Sequence, residues 1–243
     1  MPKVVAIIQA RLNSTRLPGK TLVNFGGKTL IEHVYSGVSK ASLLSEAVVA
    51  IPNNEKNREL SEFLKEKGIK YYLGSESDVL DRYSRVANQC SADFVVRIPA
   101  DNPLPHGEEI DRLITYHLEM NQDGFSSNLS EVYSSRYPDG IGAEIFSRDA
   151  LNMINLMERT EEQREHVHLN FFDYLTQSEQ LPALFTVGSP KSPEDFARTD
   201  IVLYINTAQD LQYFIEMFDF FENITPTIRE VLTWHDMFGV HIR

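Results

Sequence analysis

"KVVAIIQARLNSTRLPGKTL", residues 3–22, is the stretch on which the reading of the chain turns. Residues 3–8 are apolar and rich in β-branched side chains, which reads as a buried strand. The run stops at Gln9, and three fixed cations, Arg11, Arg16 and Lys20, follow among small polar residues in one loop closed by Pro18-Gly19. No helix begins directly after Lys20. The next helix signal is Thr29, with Glu32 at capping-box spacing.

Outward from that loop the pattern alternates. Strands are predicted over 46–52, ended by Pro52, then over 69–74 and 92–101. Helices are predicted over 29–41, 54–68, closed by Gly68, and 78–90. Strands alternating with helices argue for an α/β fold whose mainly parallel sheet is covered on both faces. Ligands of such sheets bind beyond the carboxyl ends of the strands. The first strand's end carries the Arg-Arg-Lys loop, and the fourth strand's end carries "IPADNP" with Asp101 at the turn. Cations suited to phosphates and a carboxylate suited to a metal are therefore expected on one edge of one sheet.

The loop is not an ordinary P-loop. "GKT" occurs at 19–21 and 27–29, but the positions that would need the first glycine hold Ser14 and Leu22. Gly-x-Gly-x-x-Gly is absent as well, so side-chain charge is expected to supplement backbone amides here. Taken singly, each cation reads as a solvated loop residue, and Asp101 as a turn residue or helix cap. It is their concentration at strand ends that points to a site.

Past residue 123 the rhythm changes. "GFSSN" (124–128), "GAEIF" (142–146) and "LFTV" (184–187) read as short strands, with helices near 147–159, 161–176, 207–222 and 226–236. No linker is visible. The expectation is one domain over 1–243, with a nucleotide-binding half, 1–122, and an acceptor-binding half, 123–243. The aromatic stretch 211–221 suits a dimer interface and a core equally.

Charge narrows the partners. With 23 basic and 35 acidic residues the chain carries a formal net charge of −12. Long polyanions need a basic face, so nucleic acid is not an expected partner; the local cations fit a small anion. The single cysteine, Cys90, excludes an intramolecular disulfide and fits a reducing compartment. The opening residues do not form a signal peptide, and no apolar run approaches the roughly 20 residues that span a bilayer. A cytoplasmic protein without membrane segments is expected.

An ordered set of motifs carries a resemblance. "QARLNSTRLPGK" (9–20), "GSESDVLDRY" (74–83), "VVRIPADNPL" (95–104), "PDGIGAEIFSRDAL" (138–151), "REHV" (164–167) and "NTAQDL" (206–211) together resemble the sugar-acid cytidylyltransferases. These activate 3-deoxy-manno-octulosonate and acylneuraminates as CMP derivatives, and the chain is most similar to the spore coat polysaccharide biosynthesis protein F group. The resemblance implies a Rossmann-like, glycosyltransferase-A-type nucleotidyltransferase fold, Mg²⁺ as cofactor, CTP as donor, and a sugar hydroxyl that attacks the α-phosphorus and releases pyrophosphate. A homodimer serving surface polysaccharide synthesis is implied too.

The resemblance also assigns residues. Arg11, Lys20 and Asp101 fall at catalytic positions. Ala10, Asn13, Ser14 and Arg16 join them around the nucleotide, with Ser77, Arg82, Pro99 and Ala100. Asn102, Gly140, Glu144, Arg164 and His166 fall near the acceptor; the first three residues of "REHV", Arg164 to His166, are read as the start of a helix, where a structural cap or a subunit contact suits them as well as substrate binding. Asp101 and Asn206 fall on the metal. Leu80, Tyr83 and Val86 have core-like spacing, which leaves Arg82 between pocket and core. Asn206 is a departure, because the family's Asp-Thr-x-x-Asp-Leu begins with a carboxylate there. Asp210 either compensates or is a first-turn helix acid. Two other readings compete: a glycosyltransferase of the same fold, which would want an Asp-x-Asp motif, and a non-catalytic nucleotide-binding homologue, at which Asn206 hints.

Overall fold

Along strand β1 (Val4–Gln9), Val4, Ala6 and Ile8 face one apolar layer and Val5 and Ile7 the other, all at 2% exposure or less. A strand dry on both faces has to sit inside a sheet covered on both sides. The computed structural model, which describes residues 2–239, shows that sheet.

The first half runs through a hairpin of β2 (Asn24–Phe25) and β3 (Lys28–Thr29), then α1 (Leu30–Val38), β4 (Glu46–Pro52), α2 (Arg58–Glu66), β5 (Tyr71–Gly74), α3 (Val79–Gln89), β6 (Phe94–Pro99) and α4 (Gly107–Met120). The second half adds β7 (Phe125–Ser127), β8 (Glu144–Ser147), α5 (Arg148–Leu156), α6 (Glu161–Glu165), a hairpin of β9 (Phe172–Asp173) and β10 (Ser178–Glu179), β11 (Val187–Gly188), α7 (Ala208–Phe220) and α8 (Ile228–Met237). Seven strands join in the order β11-β7-β8-β6-β1-β4-β5. β8 runs antiparallel to both its neighbours, and the other pairings are parallel. The expected α/β class with a mainly parallel sheet is what the structure shows.

The strand order locates the crevice. The chain steps outward from β1 to β4 to β5, then crosses back and lays β6 on the other side of β1. Loops leaving β1 and β6 therefore diverge to opposite faces, and the gap between them is the sheet's switch point. In register, Gln9 lies beside Pro99 and Ile7 beside Arg97, while Arg97 also faces Glu144 of β8.

One face is packed by α1, α2, α4, α7 and α8, the other by α3, α5 and the Phe171–Phe172 segment. The stretch 211–221 serves mainly the core: Tyr213, Phe214, Met217 and Phe218 have no exposed surface, and the Phe218 ring meets Phe25 edge-on at 5.4 Å. The Thr29–Glu32 capping box opens α1 as expected. The helix expected over 161–176 is not formed. α6 stops at Glu165, the backbone turns extended at His166, and a short 3-10 turn over Val167–Asn170 leads into the β9 hairpin. Asn170 stabilises the break by donating to the carbonyls of Gln163 (2.8 Å) and Val167 (3.0 Å). The Phe171 ring then stacks on Phe125 and Phe146 at 5.0 and 5.1 Å. Burying two phenylalanines is worth more than the helical propensity of the segment. Among the described residues no helix is long and apolar enough to cross a membrane.

Candidate active site

The cationic loop is folded by its own backbone and one buried amide. Ala10 N extends the ladder to Ala50 O at 3.2 Å, and Leu12 N donates to Asn57 Oδ1 at 2.8 Å. Gly19 N returns to Leu12 O at 3.0 Å, and the Thr21 hydroxyl donates to Arg11 O at 2.7 Å. Gly19 closes the loop at φ 73°, a conformation disfavoured for residues with a Cβ. The space a Cβ would take there is open, so the glycine serves backbone direction rather than close approach.

This loop, the end of β6, the end of α6 and Asn206 line one cleft over the switch point. Of the residues expected around a nucleotide and metal, it brings together Ala10, Arg11, Ser14, Arg16 and Lys20 from the loop, and Pro99, Ala100 and Asp101 from β6's end. Asn206 and His166 complete that wall. Arg16 is exposed and makes no hydrogen bond or ion pair with the described residues. Arg11, also exposed, holds Glu165 Oε1 through Nη2 at 3.3 Å. Lys20 is the most enclosed of the three loop cations and is partly buried. Its Nζ donates to Ile205 O (2.6 Å), Asn206 Oδ1 (3.0 Å) and Asp101 Oδ2 (3.2 Å), so all three protons are used.

Asp210 has a local role. Its Oδ2 accepts from the amides of Asn206 and Thr207, both at 2.9 Å, and Thr207 Oγ1 accepts from Asp210 N at 3.2 Å, a capping box opening α7. The box presents the Asn206 side chain to the cleft while turning Asp210 toward the helix.

The remaining expected residues lie elsewhere. Asn13 donates to Glu76 Oε1 at 2.7 Å and faces the α2 side of the loop. Ser77 is exposed between β5 and α3, outside the cleft lining. Arg82 is 1% exposed and braces the β5–α3 corner, donating to Ser75 O at 2.7 Å; its core-like neighbours decide its place. Burial lowers its pKa from the ordinary guanidinium value. Asn102 is buried behind the turn. Gly140 lets its own chain pass closely, since a Cβ there would meet Leu203 O at 2.7 Å. Arg164, at the end of α6 rather than a helix start, ties it to α3 and α5 through Asp78 Oδ2 (2.6 Å) and Asn155 Oδ1 (2.8 Å). Glu144 has no exposed surface: Oε2 accepts from Arg97 Nη1 at 2.6 Å and Oε1 from the Tyr174 hydroxyl at 2.7 Å.

Five lining residues were not anticipated: Gln9, Thr15, Thr21, Arg97 and Glu165. Arg97 carried a signal. A charge inside the apolar run "FVVRIP" is costly to bury unless paired. Burial opposes its charge, but the Glu144 carboxylate outweighs that and lifts its pKa above the ordinary value. Tyr174 is pushed far up, by burial and then by Glu144, and His168 is pushed down to about 4 by burial.

Comparison with known proteins accords with this geometry. The sequence profile of the family described as "Cytidylyltransferase" matches residues 5–214. An uncharacterized protein of Methanocaldococcus jannaschii is 32% identical over 234 residues, 96% of this chain and 90% of its own. The spore coat polysaccharide biosynthesis protein SpsF of Bacillus subtilis is 29% identical over 87% of this chain and 85% of its own. Among solved structures, a cytidylyltransferase from Leptospira borgpetersenii superposes with a TM-score of 0.81 at 21% identity, covering 100% of this chain and 97% of the other. A CMP:2-keto-3-deoxy-manno-octonic acid synthetase solved with CTP gives 0.63 at 19% identity, over 89% and 98%. At these identities the structures speak to the fold.

Proposed function

The chain belongs to the cytidylyltransferase family, and from that premise we propose that it transfers CMP from CTP to a sugar acid, releasing pyrophosphate, in the synthesis of a surface polysaccharide. One observation carries the reading: Arg11, Arg16 and Lys20 share a cleft with Asp101 at the β1/β6 switch point. Arg16 offers an exposed guanidinium to a triphosphate and Arg11 one held only by the exposed Glu165, while Lys20 supplies a partly buried charge where pyrophosphate would leave.

The donor set fits a divalent ion held mostly by phosphate. Asp101 Oδ2 and Asn206 Oδ1 already converge on one cation, the Lys20 ammonium. Mg²⁺ takes one or two carboxylates and fills its sphere with water and phosphate oxygens. When bound, Mg²⁺ would polarise the α-phosphate toward the incoming hydroxyl. The chain's own residues then orient the triphosphate, and the partly buried Lys20 offsets charge on the leaving group. A cytoplasmic homodimer completes the proposal, supported by the family resemblance and the unpaired, buried Cys90; sedimentation of the purified protein tests the dimer.

The decisive experiment is pyrophosphate release with a panel of nucleoside triphosphates and sugar acids. Release with CTP and one acid is the expected result. Release only with other nucleotides, or with none, would overturn it, and would favour the glycosyltransferase or non-catalytic alternatives.

A further inference from the structure

Arg97 lies one step below the rim of the cleft, beside Ile7 of β1 and Glu144 of β8. Gln9 follows two residues beyond Ile7 on the same strand, so the two side chains share a sheet face. Both line the cleft. Each brings one buried polar atom without a hydrogen-bond partner: the Arg97 Nε–H, a donor, and Gln9 Oε1, an acceptor. An orphaned buried polar atom costs about 1–3 kcal/mol. Two of opposite kind on one wall mark a place where a ligand supplies both partners.

The wall is rigidly built. Arg97 is 7% exposed, and its Nη1 is held by Glu144, which Tyr174 holds in turn. Ser127 Oγ lies 2.8 Å from the Tyr174 hydroxyl, and Tyr83, against the same guanidinium, donates to Ile7 O at 3.2 Å. This fixes where the Nε–H points. A guanidinium N–H in a dry setting favours an anionic oxygen, through a short charge-assisted hydrogen bond. The phosphates have their own cations in the loop of Arg11, Arg16 and Lys20, which leaves Arg97 for a second anion.

We propose that Gln9 and Arg97 form the acceptor subsite and take a hydroxy acid, its carboxylate accepting from Arg97 Nε and a neighbouring hydroxyl donating to Gln9 Oε1. Glu144 is a positioning residue here, acting through Arg97. The proposal rests on the transfer reading in calling the ligand an acceptor, but the subsite can be tested by binding alone.

Calorimetry on the full chain tests it, with 3-deoxy-manno-octulosonate and N-acetylneuraminate, their methyl esters, and CTP with Mg²⁺ as probes. At least one acid is expected to bind about tenfold or more tightly than its ester, which lacks the charge. Arg97→Lys keeps a charge beside Glu144 but loses the Nε–H, and should weaken that acid by at least about tenfold. Gln9→Ala should weaken it as well, with CTP affinity unchanged in both. Gln9→Ala leaves the Arg97–Glu144 pair intact, so it decides the matter if Arg97→Lys does not fold. Failure of the wild type to bind either acid overturns the proposal, as do variants that bind the acid normally. Loss of CTP binding instead would assign the wall to the base and overturn it too. Acid binding with no pyrophosphate release from any nucleotide would defeat the transfer reading and leave the subsite standing.

Discussion

Lys20 holds three acceptors at once and so joins the β6 turn, at Asp101, to the Ile205–Asn206 segment that leads into α7. Removing its charge unpairs all three and, in the proposed transfer, strips the leaving group of a partly buried cation. Lys20→Ala is therefore expected to cut turnover at least about a hundredfold, near 2.7 kcal/mol of barrier. Asp101→Ala should do the same, and the rate of pyrophosphate release checks both. Near-normal rates in either would place the chemistry elsewhere. Asn206→Asp puts a carboxylate where the family usually has one, 3.0 Å from the same ammonium. Half-maximal activity should then come at an equal or lower Mg²⁺ concentration; loss of activity with the fold intact would give Asn206 another role. Arg11, Lys20 and Asp101 were legible because fixed charge clustered at strand ends is unusual in an acidic chain. Glu144 was misjudged because its neighbours in sequence are glycines and apolar residues. Only the pairing of β6 with β8 brings Arg97 to it.

At the scale of elements, two short features place the cleft's groups. Gly19 turns the cationic loop at φ 73°. Gly19→Ala meets no clash but forces a left-handed residue with a Cβ, costing about 1 kcal/mol or more. Such a loss lowers Tm by roughly 2–4 °C per kcal/mol in a chain this size, and a weaker apparent affinity for CTP should accompany it. The α7 capping box is the other. Asp210→Ala removes the acceptor of two backbone amides and should cost about 1 kcal/mol, seen as a lower Tm. Most turnover should survive, unlike in Asp101→Ala; a loss as deep as that variant's would make Asp210 part of the chemistry. Helices with strong periodicity and a cap, such as α1, were readable from sequence. The 161–176 segment was not, because its fate depends on Phe171 finding Phe125 and Phe146 across the fold, and local pattern contains no such information.

At the scale of the whole molecule, the parallel sheet and its dry faces followed from the alternation of the first hundred residues. The antiparallel β8 did not, since nothing local sets a strand's direction. Three histidines within the fold, His106, His117 and His168, are held down to about 4 by burial, with Lys40 adding to the effect at His106. The unfolded chain protonates them near pH 6.5, so it binds protons that the native state does not between about 6.5 and 4. Their contribution to stability is full above pH 6.5 and declines as the pH falls through that window. Thermal melts should show Tm dropping between pH 6.5 and 4, and less steeply in His117→Gln, whose amide can still reach the Ser126 hydroxyl. A drop of the same slope in that variant would assign the acid sensitivity to other groups.

Because β8 runs against its neighbours, it is the beginning of that strand, not its end, that abuts the cleft, and the excursion from 128 to 143 feeds directly into it. Lengthening or shortening that excursion can slide Glu144, and with it the guanidinium it grips, while β1, β4 and β5 stay where they are. If the proposed acceptor subsite is where the sugar sits, selectivity for one sugar over another can thus drift among descendants of this fold while the cationic loop stays in place.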